Sequence, residues 1–485
     1  MHDLSRLDAV AQAGLVRSGE ATPLELVDAA IARIEKVNPA LNAVVLPAFE
    51  RARDDARAMA KEAKGSNRPF IGVPFLMKDI GGQEAGAPCH MGMKCLKRAK
   101  WIEPESAYFT ERLRAAGFIS LGRTATPELA LLPTTESEAY GPTRNPWNPD
   151  HSSGGSSGGA SSAVASGMVP AAHASDGGGS IRIPAAHTGL VGLKPTRGRS
   201  SFGPGAGERW SGFSCEFVVS RTVRDSAAIL DVVAGMAPGD PYTAPPPHRH
   251  FAREAGADPG RLRIGALFGS PREGVRVDPE CSEAARVAAR ALEGLGHRVE
   301  ESAPEAYADT GCGRAYVTSV ASNIARTLDA VGEKLGRPLT PDDVEPMTWA
   351  IAEIGRATNV AAYLAQIEFV HRFGRRMASW WESGFDLLLT PVAAEPPPRI
   401  GEFAGSQEVP LKPFLRAAPF GAFTFPINLS GQPAISVPVH WSAAGLPIGA
   451  MLVAPFGRED LLLQVAAQLE VAVPWRDRVA GIYAS

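Results

Sequence analysis

The sequence of 485 residues predicts an α/β fold, and three observations lead to this prediction. Short apolar runs of strand length alternate with longer segments of helical periodicity along most of the chain. Glycine and proline separate these segments without dividing the strand-forming runs into independent halves. Hydrophobic residues make up 45% of the chain, which is enough for a substantial core. We therefore expect one domain over residues 1–485.

The N-terminal region predicts two helices that pack on the outside of the core. Thr22 and Glu25 have the spacing of a capping box, and Pro23 between them suits the first helical turn. Apolar residues then recur on one face until Pro39, where we expect the helix to end. A second helix, polar and rich in alanine, is predicted over residues 49–64.

The remaining elements follow from the same two periodicities. Strands are predicted at residues 71–77, 118–122, 169–174, 263–267, 298–301, 385–390 and 446–454. Helices are predicted at residues 105–116, 160–167, 281–295 and 458–470, with mainly helical pattern over 314–383. The predicted domain is accordingly divided into N-terminal helices (1–65), a core segment (66–235), an irregular proline-rich connector (236–260), a mainly helical region (261–390), and a C-terminal sheet and helix (391–485).

The second of two Gly/Ser clusters contains the strongest candidate for a nucleophile. It reads Asp176-Gly177-Gly178-Gly179-Ser180. Three successive glycines allow positive φ and can expose backbone N–H groups that converge on an anion. A serine at the end of such a nest is placed to act as a nucleophile whose oxyanion the nest stabilises. A flexible linker is the alternative, but apolar segments precede and follow the cluster at once.

Lys78 is the strongest candidate for the base that such a serine needs. It ends an apolar run, and burial there lowers the pKa of an amine from about 10.4. Keeping the amine neutral near pH 7 needs a drop of roughly 3 units, or about 4 kcal/mol. A snorkelling lysine paired with Asp79 is the alternative, and periodicity leaves both open. His151, His173 and His187 could also serve as bases, although we interpret them as structural.

Three motifs carry a resemblance to a known family. They are Gly72–Asp79 (Gly-Val-Pro-Phe-x-x-Lys-Asp), Gly154–Gly159 (Gly-Gly-Ser-Ser-Gly-Gly) and Asp176–Pro184 (Asp-Gly-Gly-Gly-Ser-Ile-Arg-Ile-Pro). Together they resemble the amidase signature family, and the resemblance covers nearly the whole chain. It implies one large mixed β-sheet covered by helices on both faces. It also implies a Ser-Ser-Lys triad, in which Ser180 is the nucleophile, Ser156 the bridging serine and Lys78 the base.

The resemblance implies further roles around the triad. Backbone N–H groups of Gly177, Gly178, Gly179 and Ser180 are expected to hold the oxyanion. Ala130, in the loop of residues 124–141, is expected to border the substrate. The peptide bond before Ser156 is expected to be cis. Two departures from the family pattern, Gly177 in place of an apolar residue and Ser175 in place of threonine, are expected to alter only the shape of the nest.

The roles of three neighbouring side chains stay open in the sequence. Asp176 and Arg182 could brace the catalytic loop, but a purely structural ion pair would give the same sequence. Ser157 could hydrogen-bond to Lys78 or only pack beside it. No neighbouring residue pattern separates these alternatives.

Two alternative motifs, the nucleophile elbow of α/β-hydrolases and the phosphate-binding P-loop, are disfavoured. The first cluster also matches Gly-x-Ser-x-Gly, the nucleophile elbow, which must follow a strand. Residues 145–153 contain two prolines and cannot form an ordinary strand. No Gly-Lys-Ser/Thr follows either cluster, which excludes a P-loop.

Net charge, cysteine content and the lack of long apolar runs limit the classes of partner and the compartment that we expect. A net charge of −3 argues against a nucleic-acid partner. Five cysteines without a Cys-x-x-Cys pair suit a reducing compartment and give no metal pattern. The N-terminus lacks an apolar signal core, and no run approaches the length of a membrane span. We expect a cytoplasmic enzyme without cofactor, metal or membrane partner; the oligomeric state stays open, with a homodimer as one arrangement.

The substrate is expected to be a small or oligomeric amide. Further stretches at residues 145–148, 192–199, 336–340, 342–345 and 457–466 resemble amidases of nylon oligomers, whose pocket has a cysteine where Val320 aligns. A more apolar pocket would suit aryl or alkyl amides, or carbamates and aryl esters. A subunit of a tRNA-dependent amidotransferase is an alternative from another functional class, but the sequence shows no obvious basic face that would bind tRNA. A binding protein without catalysis is disfavoured because all three triad positions are filled.

Overall fold

The computed structural model describes residues 3–484. Its strands are β1 (Val44–Pro47), β2 (Pro74–Lys78), β3 (Ile119–Thr124), β4 (Glu136–Ser137), β5 (Gly141–Pro142), β6 (Arg144–Asn145), β7 (Asn148–Ser152), β8 (Ala171–Asp176), β9 (Val191–Lys194), β10 (Cys215–Ser220), β11 (Arg263–Ala266), β12 (Arg298–Glu301), β13 (Leu387–Pro391), β14 (Ala434–Trp441) and β15 (Pro447–Val453). Its α-helices are α1 (Ala9–Ser18), α2 (Pro23–Leu41), α3 (Phe49–Met59), α4 (Lys94–Ala99), α5 (Tyr108–Ala116), α6 (Gly158–Ala165), α7 (Arg182–Thr188), α8 (Val223–Val233), α9 (Pro279–Gly294), α10 (Gly311–Leu335), α11 (Pro346–Ala357), α12 (Val360–Ser379), α13 (Lys412–Arg416), α14 (Ala418–Gly421), α15 (Phe425–Ser430) and α16 (Glu459–Ala472).

Eleven of these strands form one sheet, in the order β1-β3-β2-β8-β10-β9-β14-β15-β13-β11-β12. The pairs within β3-β2-β8 and within β13-β11-β12 are parallel. The other neighbouring pairs are antiparallel. The prediction of one large mixed sheet is therefore confirmed.

Helices cover both faces of this sheet, as the resemblance implied. On β13, Leu387 and Leu389 belong to one buried apolar cluster, whereas Leu388 between them belongs to a second one. Successive side chains of a strand point to opposite faces, so the two clusters lie on opposite sides of the sheet. The first cluster includes residues of α2, α9 and α16, and the second includes residues of α10, α11 and α12.

The capping box at the start of α2 is confirmed, but the predicted end of this helix is wrong. The Glu25 N–H donates to Thr22 Oγ1 over 3.2 Å, and the Thr22 N–H donates to Glu25 Oε2 over 2.7 Å. The helix continues through Pro39 to Leu41. Proline removes only one hydrogen bond in the last turn, and left-handed Asn42 then closes the helix.

Four strands of the main sheet were not predicted, namely β1, β9, β10 and β14. Short strands such as β9, with four residues, give too little periodicity, and Pro438 with a bulge interrupts the pattern of β14. The prediction that residues 145–153 form no strand is wrong, since they contain β7. This strand pairs only with β6, in a two-stranded sheet apart from the main one, so no main-sheet strand leads into the first Gly/Ser cluster.

Two neighbouring strands of the main sheet bring the candidate site residues together. Strands β2 and β8 are parallel neighbours, so their carboxyl ends, at Lys78 and Asp176, lie at the same edge of the sheet. Residues 236–260 contain neither strand nor α-helix, in line with the predicted irregular connector. Within residues 3–484, none of the helices has the length and apolarity needed to cross a bilayer.

Substituting the cap of α2 tests its share in stability. Thr22→Ala removes the side-chain acceptor for the Glu25 N–H, and we expect a loss of about 1 kcal/mol in unfolding free energy. Thr22→Ser keeps the acceptor and is the matched control. Scanning calorimetry of the two variants should show a lower midpoint for alanine only; equal midpoints would contradict the role of this cap.

Candidate active site

Lys78 lies at the carboxyl end of β2 with its side chain completely buried. Its Nζ is 2.7 Å from Ser156 Oγ, 2.9 Å from Ser157 Oγ and 3.0 Å from Ser175 Oγ. The three hydroxyls come from the first Gly/Ser cluster and from β8. Ser175 therefore contacts the candidate base itself, and the expectation that this departure from the family pattern alters only the shape of the nest is wrong.

Burial lowers the pKa of Lys78 to about 7, although the carboxylates of Asp176 and Glu216 act in the opposite direction. No acidic side chain among the described residues forms an ion pair with it. Asp79, the alternative partner, instead accepts the N–H groups of His90 (2.7 Å) and Gly92 (3.0 Å). The buried interpretation of Lys78 is thus confirmed over the snorkelling one.

The first Gly/Ser cluster holds Ser156 and Ser157 against this amine. The Gly155–Ser156 peptide bond is cis, as expected. Gly155 packs so closely on Thr134 that an added Cβ would lie 2.4 Å from a backbone oxygen. Ser157 contacts Lys78 directly, which decides between its two open roles, and its N–H donates to the Ser180 carbonyl over 3.3 Å. This bond joins the two clusters.

Each glycine of the second cluster faces a side chain that would exclude a larger residue. An added Cβ would lie 2.6 Å from the ring of Trp210 at Gly177, 2.3 Å from the hydroxyl of Tyr316 at Gly178, and 2.4 Å from Thr424 Oγ1 at Gly179. At Gly177, where the family pattern has an apolar side chain, the Trp210 ring occupies that space.

The second cluster, Asp176 to Ser180, forms the glycine loop, whose backbone N–H groups have different partners. The Gly179 N–H donates to Asp176 Oδ1 over 2.7 Å, so it is not free to bind an oxyanion. The N–H groups of Gly177, Gly178 and Ser180 donate to no acceptor within residues 3–484. The four-donor prediction is therefore reduced to these three groups.

Asp176 is the centre of a buried hydrogen-bond network that fixes the loop. Both its oxygens contact the Arg182 guanidinium at 2.9 Å, and Asn428 Nδ2 donates to Oδ1 over the same distance. Burial raises the pKa of Asp176, but Arg182, Asn428 and Lys194 outweigh it and hold this pKa well below its usual range. Both candidate braces thus act on the loop itself, since Asp176 also accepts the N–H groups of Gly179 and Ile181.

A cavity of about 400 Å³ opens beside the loop. Its lining includes Gly155, Gly178, Ser180 and Ala130, the residue expected to border the substrate. The wall is otherwise mainly apolar and consists of Leu131, Leu132, Pro133, Ile183, Val275, Ala308, Gly313, Tyr316, Val317, Phe414, Leu415, Ala417, Ala418, Gly421 and Phe425, with Thr310, Arg272 and Glu273 as the polar members. Val320, expected in the pocket, is buried in the second apolar cluster and is not part of this lining.

The three candidate histidines lie away from the serine hydroxyls. His173 Nδ1 accepts the backbone N–H of Lys78 over 3.2 Å, and burial holds its pKa well below the usual value. His151 Nδ1 hydrogen-bonds to the Pro397 carbonyl, and the ring of His187 contacts Phe420. All five cysteines are buried as free thiols. Among the described residues, no group of three metal-ligating side chains is arranged to hold an ion.

Several lining residues had no signal in the sequence. Tyr316 and Arg272 come from a long helix and an irregular loop, far along the chain from either cluster. Asn428 lies far along the chain in α15, and only its contacts reveal that it completes the Asp176 network. Side-chain identity alone does not distinguish such residues from others on the same elements.

Comparison with known proteins gives a consistent result. A family model described as Amidase matches residues 25–463. The 6-aminohexanoate-cyclic-dimer hydrolase of Pseudomonas sp. (strain NK87) is 45% identical over 475 residues, covering 96% of this chain and 95% of that protein.

Two solved structures extend the comparison. The structure of 6-aminohexanoate cyclic dimer hydrolase complexed with substrate matches with a TM-score of 0.95 and 44% identity, covering 99% of this chain and 100% of that one. A bacterial aryl acylamidase belonging to the amidase signature enzymes matches with a TM-score of 0.88 and 29% identity over 98% of each chain.

Removing the charge of Asp176 tests the network that fixes the loop. Asp176→Asn leaves Arg182 buried beside a neutral amide, and we expect a loss of about 3–5 kcal/mol in unfolding free energy at pH 7. The lowered pKa stabilises the fold above the unfolded value near 4, so the deficit should shrink as the pH falls below about 4.

Asp460→Asn is the matched control, because Asp460 pairs with the more exposed Arg458 at 3.0 Å. This change should cost less than about 1 kcal/mol. Thermal unfolding at several pH values measures both variants. Equal losses for Asp176→Asn and Asp460→Asn would contradict the structural role of the buried pair.

Proposed function

The chain belongs to the amidase family of amide-hydrolysing enzymes, and we propose that it cleaves carbon–nitrogen bonds through an acyl-enzyme on Ser180. The observation that carries the proposal is the fully buried Lys78 amine, 2.7 Å from Ser156 Oγ. Such an amine with a pKa near 7 is neutral in part at physiological pH and can accept a proton. The substrates are small or oligomeric amides.

The proposed proton path runs from Ser180 through Ser156 to Lys78. A serine can relay a proton because its hydroxyl both donates and accepts. Ser156 is hydrogen-bonded to the base, and the Ser157–Ser180 backbone bond keeps the two clusters adjacent. Ser157 and Ser175 hold the other sides of the amine, so its lone pair can be directed at Ser156.

Attack of Ser180 Oγ on the carbonyl carbon creates a negative oxygen that needs donors. The free N–H groups of Gly177, Gly178 and Ser180 supply them in the proposal, since the Gly179 N–H is engaged by Asp176. The Asp176–Arg182 pair acts indirectly by fixing the loop conformation. The donors are then preorganised before charge develops on the substrate.

Collapse of the tetrahedral intermediate breaks the carbon–nitrogen bond. The proton held by Lys78 returns through Ser156 to the leaving nitrogen, which departs as the free amine. Water, deprotonated along the same path, then attacks the ester carbonyl of the acyl-enzyme. Release of the acid restores Ser180 and the neutral amine, so each cycle consumes one water and one amide.

The substrate range follows from the cavity. Its walls are mainly apolar, which suits alkyl or aryl groups on either side of the amide. Carbamates and aryl esters place the same carbonyl carbon before the same nucleophile, and they are the alternative substrates for this triad. A tRNA-dependent amidotransferase subunit has no support from charge, since the net charge is −3.

A probe for serine nucleophiles tests the role of Ser180. In Ser180→Ala we expect turnover of p-nitroanilides to fall by at least about 1000-fold with an unchanged fold, because the attacking oxygen is gone. A fluorophosphonate should label the wild type on the peptide containing Ser180. The exposed Ser406→Ala variant is the control. Labelling of Ser156 instead, or retained turnover in Ser180→Ala, would reject this nucleophile.

The pH dependence of hydrolysis tests Lys78 as the base. We expect kcat/KM to rise as the pH passes about 7, because Lys78 accepts a proton only after losing its own. Lys78→Met should lower kcat/KM by about 100- to 10,000-fold and remove this inflection. Circular dichroism checks the fold of the variant. Wild-type rates in Lys78→Met at pH 7 would return the role to a histidine.

A further inference from the structure

The cavity beside Ser180 contains one positive charge that no carboxylate neutralises. Arg272, in the irregular loop before α9, lines the cavity together with Glu273. They are the two charged residues among the described lining, and the side chain of Glu273 is exposed. The Nε and Nη2 atoms of Arg272 are buried, and neither has a hydrogen-bond partner. No carboxylate within residues 3–484 forms an ion pair with this guanidinium.

The surroundings of Arg272 explain why it stays unpaired. Its guanidinium carbon lies 4.3 Å from the centre of the Phe425 ring. This cation–π contact positions the guanidinium but does not neutralise its charge. Asp309, a carboxylate whose charge acts on Arg272, is engaged by Arg376 and by the Gly311 N–H. The Cys312 thiol interacts with the guanidinium, but burial raises the pKa of this thiol to about 12, so it is neutral and does not compensate the positive charge.

Unpartnered buried donors are rare in folded proteins, because each one loses its hydrogen bonds to water on burial. A guanidinium presents its N–H groups as a planar fork that matches the two oxygens of a carboxylate. Arg272 offers such a fork inside a site that is otherwise lined mainly by apolar groups. Of its three nitrogens, Nη1 is the one that is not fully buried, so a carboxylate on a bound substrate would approach the charge from that side.

One wall of the cavity connects Arg272 to the glycine loop. The Phe425 ring under the guanidinium lies 5.0 Å from the Tyr316 ring, centre to centre. The Tyr316 hydroxyl in turn stands against Gly178, beside Ser180. A substrate that reaches Ser180 can therefore extend along two aromatic rings to the charge at the other end.

We propose that Arg272 binds a carboxylate that the amide substrate carries at a distance from the scissile bond, and so favours ω-carboxy amides over neutral ones. The inference rests on the proposed function of Ser180. It assigns to Arg272 a contact with a remote part of the substrate and no contact with the reacting atoms. Loss of that contact should therefore raise KM and leave kcat nearly unchanged.

Calorimetric binding to the Ser180→Ala protein tests the inference without turnover. Two carboxylates are used, adipic mono-p-nitroanilide on the acyl side and N-hexanoyl-aminohexanoate on the amine side. Their neutral counterparts are hexanoyl p-nitroanilide and N-hexyl hexanamide. We expect at least one carboxylate to bind about 10- to 100-fold tighter than its counterpart, the range of a charged hydrogen bond. Equal affinities in both pairs would overturn the proposal.

A variant series identifies the residue responsible. Adding Arg272→Met should weaken binding of the preferred carboxylate to the level of its counterpart, while binding of the neutral amide changes less than about twofold. Arg272→Lys keeps the charge without the fork and should lose only part of the preference. Arg276→Met, an exposed position in the same loop, is the matched control. An undiminished preference in Arg272→Met, or its loss in Arg276→Met, would refute the assignment.

Kinetics with active protein separates this inference from the proposed function. With Ser180 intact, Arg272→Met should raise KM for the preferred carboxylate about 10- to 100-fold and leave the neutral amide unchanged. Arg272→Gln, with circular dichroism and the thermal midpoint, covers the case in which methionine disturbs the loop. Hydrolysis of neither amide by the wild type would count against the proposed function, whereas equal hydrolysis of both would count only against Arg272.

Discussion

The buried amine of Lys78 is the constraint on which the site depends. Lowering the pKa of an amine from 10.5 to about 7 costs on the order of 5 kcal/mol. The fold sustains this cost because the amine sits at the carboxyl end of a strand that is buried along its whole length. Three neutral hydroxyls around the nitrogen satisfy its hydrogen bonds without restoring its charge.

A carboxylate close to this amine would undo that arrangement, and Asp176 is close enough to act on it. The oxygens of Asp176 instead accept hydrogen bonds from Arg182, Asn428 and the N–H groups of its own loop. The negative charge is thus neutralised by a guanidinium. Asp176 still raises the pKa of Lys78, but burial outweighs this effect, and the network fixes the glycines that follow Asp176.

The glycine loop is enclosed by side chains from distant parts of the chain. Trp210, Tyr316 and Thr424 each occupy the space beside one of the three glycines. Tyr316 also forms part of the cavity wall, so the helix that supports the loop contributes directly to the space available for substrate. Loop shape and cavity shape are therefore coupled through shared residues.

The sequence by itself determined the local features of this protein. The capping box at Thr22, the alternation of strands and helices, and the two Gly/Ser clusters depend on neighbouring residues, so they could be predicted from short stretches. The resemblance of three motifs then supplied the mixed sheet, the cis bond before Ser156 and the candidate triad.

Only the tertiary structure decided what depends on residues far apart in the chain. Strands such as β9 and β14 are defined by their partners on both sides rather than by their own periodicity. Packing decides that Lys78 stays buried and does not snorkel. It also decides which N–H groups of the loop remain free and places Val320 outside the cavity. Burial, hydrogen-bond competition and shape are properties of the assembled neighbourhood, and no short stretch of sequence contains them.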